Sequence, residues 1–230
     1  MPKYRIYIGR TSDSLIPMTA VSVQSTAPAA PLHGLVLAGG NSRRMGCDKG
    51  QLVYRGEPQA RRAWRMLVDL CGDAYVSVRT EQSGLAPYVE LPLIIDESPE
   101  QGGPAGGLLA GWARYPECAW LVVATDLPFV DAPLLATLVR LRAPELLATA
   151  FRHPDRAPEP LCAIWEPRAR APLLERVRRG DRSLRPMLSA PATRAIDAEE
   201  PGRLRSVDRL ADYESARREL ERKDGPSGAL

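Results

Sequence analysis

Apolar residues along this chain fall in short runs, separated by stretches in which they recur at helical spacing. The runs Leu35–Leu37, Ala74–Val78, Leu93–Ile95 and Trp120–Ala124 have the length and the β-branched or aromatic content of strands. Between them, Gln59–Leu70, Gly107–Tyr115 and Ala132–Leu141 read as helices. Asp131 ahead of Ala132-Pro133 offers an N-cap with proline in the first turn. Strands alternating with helices predict a three-layer α/β fold, a mostly parallel sheet with helices on both faces.

The C-terminal third is less regular. Pro160–Trp165 predicts a strand, Pro167–Arg179 a helix ended by Gly180, and Ser183–Leu188 a short helix. Thr193–Ile196 fits a further strand, and Asp208–Arg222 a polar final helix. Residues 1–32 differ from the rest: Tyr4–Ile8 fits a short strand, and Thr11–Leu32 is a linker of Ser, Thr, Pro and Ala. We therefore expect a tail over 1–32, one domain over 33–222 and a frayed end over 223–230.

Composition narrows the function classes. At 230 residues, 44% apolar and 26% charged, the chain suits one sizeable soluble domain. A net charge of +3, with arginines scattered and not interleaved with aromatics, argues against nucleic acid. Cys47, Cys71, Cys118 and Cys162 lack C-x-x-C spacing, which speaks against structural zinc and for reduced thiols in the cytoplasm. No apolar run approaches the roughly 18 residues of a membrane span, and the N-terminus lacks a signal-peptide core.

The densest chemistry lies in Leu37-Ala38-Gly39-Gly40-Asn41-Ser42-Arg43-Arg44-Met45-Gly46-Cys47-Asp48-Lys49, directly after the first strand. Gly39, Gly40 and Gly46 are free to adopt positive φ and let backbone N–H groups turn toward one anion. Arg44 and Lys49 bring the full charges that a triphosphate needs. Neither the Walker A spacing nor G-x-G-x-x-G is present, so this is a nucleotide loop of another kind. Asp48 is expected only to hold the loop's shape.

Two carboxylates sit at strand ends, where open α/β sheets bind ligands: Asp96 and Asp126. Asp126 suits either a turn cap or a Mg²⁺ ligand, and taken alone the cap is favoured. Asp96 is balanced between a turn cap and a base contact. One carboxylate accepts from both N1–H and N2–H₂ of guanine, whereas adenine presents an acceptor at N1. Gly102-Gly103-Pro104-Ala105-Gly106-Gly107 makes a tight bend before a helix. Cys162 has no basic or histidine neighbour and reads as a small core residue, and neither His33 nor His153 suggests a base.

The pattern L-A-G-G-x-S-x-R-M-G-x-D-K resembles the signature of Rossmann-like nucleotidyltransferases, most closely the molybdenum cofactor guanylyltransferases (MobA-like proteins). Ile95-Asp96-Glu97-Ser98, Gly103–Gly107, Val122–Phe129 and Glu159–Trp165 match further motifs in the same order, so that the resemblance spans His33 to Tyr213. It implies GMP transfer from GTP to the terminal phosphate of molybdopterin or molybdenum-molybdopterin, with pyrophosphate leaving and Mg²⁺ as cofactor. It makes Arg44 and Lys49 the catalytic charges and assigns nucleotide binding to Leu37, Ala38, Gly39, Gly40, Lys49, Ser77, Asp96 and Asp126. Asp126 becomes the metal ligand, and Glu159 and Cys162 lie on a strand motif near the acceptor. The resemblance also allows transient contact with cofactor-pathway proteins or molybdoenzymes.

The chain departs from the family in two places. Ser77 stands where an Asn is frequent, and Ser206-Val207-Asp208-Arg209-Leu210 replaces an N-x-N-T-P segment. Asp208 is either a second metal ligand or the N-cap of the final helix, the cap being favoured. Two alternatives stay open: a relative using CTP or a sugar phosphate, and a nucleotide-binding accessory protein without turnover.

Overall fold

In the computed structural model the described residues are 28–40, 45–97, 102–153, 155, 157–189 and 191–223. Tyr4–Ile8, Arg44 and Ser98 lie outside them. β1 (Leu32–Leu37) is the centre of the architecture, with Leu35 and Val36 wholly inaccessible to solvent. It pairs in parallel with β4 (Ala74–Arg79) on one side and β6 (Ala119–Ala124) on the other. Every residue of β6 is buried, which is why its sequence is a continuous apolar run. β5 (Leu93–Asp96) adds to β4 in parallel and forms one edge.

Beyond β6 the direction changes. β8 (Pro158–Trp165) runs antiparallel to both β6 and β7 (Ala148–Arg152), and β9 (Thr193–Asp197) closes the sheet parallel to β7. The order is β5-β4-β1-β6-β8-β7-β9, so four of its six pairings are parallel. A two-stranded ribbon, β2 (Val53–Tyr54) with β3 (Glu57–Pro58), stands apart.

Helices cover both faces, as expected. α1 (Gln59–Cys71) and α3 (Ala132–Arg140) pack Leu67, Leu135 and Leu138 on Val36, Val76 and Val123. α2 (Pro104–Arg114) and α4 (Arg170–Arg178) place Leu108, Trp112 and Leu173 on the opposite face with Leu35 and Val122. α5 (Leu210–Lys223) belongs to neither layer: its Ala216 and Leu220 join Met45, Tyr54, Phe129 and Val207 in a separate small cluster. Asp131 caps α3, its carboxylate accepting from Leu134 N at 3.0 Å. Among the described residues no helix is long and apolar enough to cross a membrane.

Several expectations need adjustment. The helix expected over Pro167–Arg179 is a 3-10 turn, Pro167–Ala169, followed by α4, and Ser183–Leu188 holds only a 3-10 turn over Arg185–Leu188. β7 was not foreseen. The boundary at residue 33 falls slightly late, because Pro31 O accepts from Ala119 N at 2.8 Å and Ala30 O from Arg142 Nη2 at 2.8 Å. Removing residues 1–32 is therefore expected to lower the melting temperature by several degrees relative to removing 1–27, at about 2–4 °C per kcal/mol for a chain of this size. Equal melting temperatures for the two truncations in a fluorimetric scan would deny these contacts any weight.

Candidate active site

Strand order reverses between β1 and β6, because the chain adds β4 and β5 on one side of β1 and then returns to the other. Such a switch point opens a crevice at the carboxyl ends of the strands. A cleft lies there. Its walls include Leu37, Ala38, Gly39 and Gly40 after β1, Ser77 of β4, Asp96 of β5 and Asp126 after β6, with Lys49 across from them. All eight residues expected to bind nucleotide are thus brought to one place. Arg44 lies outside the described residues.

The cleft is shaped by small residues. Gly103 precedes α2 at φ 87° and ψ −166°, a conformation essentially restricted to glycine. At Gly107 an added Cβ would stand 2.6 Å from Ser77 Oγ and 2.7 Å from Leu37 Cδ2, so only glycine lets α2 lie this close to β1 and β4. Ser77 is correspondingly covered, 1% exposed. Of the three loop glycines expected to use positive φ, Gly46 does, at 70°, whereas Gly39 and Gly40 do not. Among the described residues nothing lies within 4 Å of a Cβ built on Gly40.

Charge concentrates around Lys49. Its Nζ donates to Asp208 Oδ1 at 2.7 Å and stands 3.8 Å from Asp126 Oδ2. Val207 N donates to Asp126 O at 2.8 Å, which carries the segment before α5 over the end of β6 and brings Asp208 to the lysine. The favoured reading of Asp208 as a helix cap is thereby corrected. It lies two residues before the first residue of α5, and its oxygens accept from Lys49 and from Ser206 Oγ at 3.1 Å.

Burial pushes the Asp126 carboxyl above the usual carboxylate range, Lys49 opposes the shift, and the nearby Asp208 and Glu159 charges add to it. Asp126 Oδ1 is buried without a hydrogen-bond partner among the described residues. A cation between Asp126 and Asp208 would satisfy that oxygen. No group of three or more potential metal-binding side chains occurs among the described residues. The site thus offers two carboxylates and leaves the remaining positions to phosphate and water, the coordination that Mg²⁺ favours.

The sequence pointed to Glu159 and Asp48 but not to their partners. Glu159, buried at 7% exposure, accepts from Leu161 N at 2.8 Å and pairs with His153 Nε2 at 2.8 Å. Asp48 holds the loop's shape, as expected, but does so through Gln82 and Tyr88, which no motif had singled out. Cys162 is wholly buried in β8, and burial pushes its thiol pKa up, which suits a core residue.

A switch-point cleft with a glycine-rich turn, a lysine and two carboxylates defines a nucleotide-binding α/β protein of the nucleotidyltransferase class. Its fold is similar to that of molybdopterin-guanine dinucleotide biosynthesis protein A from Archaeoglobus fulgidus, at a TM-score of 0.67 and 20% identity over 83% of this chain and 99% of that one. The MobA-like NTP transferase domain matches residues 34–196, and the chain belongs to that family. A molybdenum cofactor guanylyltransferase of Pseudomonas putida is 33% identical over 189 residues, 79% of this chain and 97% of its own length. A molybdenum cofactor biosynthesis bifunctional protein of Synechocystis sp. is 36% identical over 140 residues, and the match spans 40% of that longer protein.

Proposed function

We propose that this protein transfers GMP from GTP to the terminal phosphate of molybdopterin or its molybdenum form. The acceptor phosphate attacks the α-phosphorus, the bond to the β-phosphate breaks, and pyrophosphate leaves. The meeting of Lys49, Asp126 and Asp208 at the mouth of the glycine-rich turn carries this reading. It is supported by the guanylyltransferases that resemble the chain over most of their length.

No side-chain nucleophile is required; catalysis is positioning and charge compensation. Lys49, with Arg44 from the same motif, neutralises charge growing on pyrophosphate. Asp126 and Asp208 would hold a Mg²⁺ ion, which would supply further neutralisation of the phosphate oxygens. Asp96, at the far wall of the cleft, reads the guanine edge. Four free cysteines fit a reducing cytoplasmic setting.

The test is pyrophosphate release with GTP, CTP and each pterin acceptor. Release with CTP but not GTP would move the protein to another branch of the class, and binding without release would make it an accessory protein. Within the guanylyl reading, Asp96→Asn exchanges one acceptor oxygen for a donor. It is expected to weaken GTP about tenfold, by about 1.4 kcal/mol, and ITP, which lacks the 2-amino group, clearly less. Equal losses measured by calorimetry would show that Asp96 does not contact N2.

A further inference from the structure

Ala38 directly follows β1, and Asp48 directly precedes Lys49. Gln82, from the 3-10 turn after β4, bridges Ala38 and Asp48. Its Nε2 donates to Ala38 O at 3.1 Å and to Asp48 Oδ2 at 2.6 Å. Its Oε1 accepts from Arg79 N at 3.0 Å and Arg79 Nε at 3.2 Å. The amide orientation follows from this, since a flip would set donor against donor and acceptor against acceptor.

The other Asp48 oxygen is equally occupied. Oδ1 accepts from Tyr88 Oη at 2.7 Å and from Gly50 N at 2.8 Å. Tyr88 is wholly buried and Gln82 is 3% exposed. Burial and the adjacent Asp48 charge push the Tyr88 pKa far up, so the hydroxyl is always protonated and always a donor. Both peptide neighbours of Lys49 are therefore anchored, Asp48 by its side chain and Gly50 by its amide.

We propose that Gln82 and Tyr88 are positioning residues which, acting through Asp48, tie the two ends of the glycine loop together and hold Lys49 at the phosphate side of the cleft. The proposal rests on the nucleotide-transfer reading above. Neither residue lines the cleft, and each reaches the nucleotide only through Asp48 and the loop. A buried hydrogen-bonded network of this kind holds Ala38 and Asp48 in one relative placement, because each lost partner strands a polar group away from water.

The test uses the full chain carrying Tyr88→Phe, which removes one hydroxyl, and separately Gln82→Met. GTP with Mg²⁺ is titrated by calorimetry, guanosine by NMR. Each variant is expected to bind GTP about tenfold more weakly and guanosine within twofold of wild type, because only the phosphates meet Lys49. Tyr75→Phe, whose hydroxyl bonds Tyr115 at the opposite end of the sheet, leaves both affinities unchanged. Equal weakening of GTP and guanosine would reduce the network to a structural role and overturn the proposal, as would GTP affinity within twofold of wild type in both variants. A wild-type protein that binds no GTP would instead overturn the guanylyl reading itself.

Discussion

Asp126→Asn is expected to make the protein more stable at neutral pH while lowering turnover by about 10²-fold or more. The carboxylate is buried, has one oxygen without a partner among the described residues and faces two further acids, Asp208 and Glu159. Its folded pKa is raised above the unfolded one, so folding favours the protonated form. Ionisation then weakens the fold increasingly as pH rises from about 4, the unfolded value, through the raised folded value. Asparagine resembles the protonated acid. The gain in melting temperature should grow as pH rises from about 4 and should disappear below it. A variant equally stable to wild type from pH 4 to 8, or one that keeps its turnover, would remove Asp126 from the centre of the site.

Lys49→Met is expected to lower turnover by about 10²–10³-fold, the loss found when one preorganised charge-stabilising donor is removed. Its effect on stability should run opposite to that of the aspartate change. Without the ammonium, Asp126 loses the positive charge that opposes its raised pKa while the Asp208 and Glu159 charges still act on it, so the variant should lose melting temperature relative to wild type as pH rises from 4 to 8. Combining Lys49→Met with Asp126→Asn should restore much of that stability and none of the activity. Parallel pH profiles for Lys49→Met and wild type would mean that the lysine does not compensate these acids.

How much of this was legible from residue order depended on whether partners were close in sequence. β1, β4 and β6 announced themselves because strands covered on both faces need apolar runs, and β5 showed as a short apolar run although it is an edge strand with Ile95 exposed. β7, Ala148-Thr149-Ala150-Phe151-Arg152, carries small side chains and becomes a strand because β8 and β9 flank it. Nothing local encodes the reversed direction of β8. The loop residues and the two strand-end aspartates were readable because each sits beside an apolar run. The partner of Lys49 was not: Asp208 lies 159 positions away and arrives through a backbone bond between Val207 and Asp126. Gln82 and Tyr88 stayed silent for the same reason.

The separate cluster under α5 has a consequence for the cleft. Asp208 stands between Val207, a member of that cluster, and α5, whereas Lys49 and Asp126 are mounted beside the sheet. Opening α5 uncovers only six buried side chains and leaves the two large cores packed. Displacement of α5 would therefore carry Asp208 away from Lys49 and Asp126 while the strands that hold those two residues stayed in place.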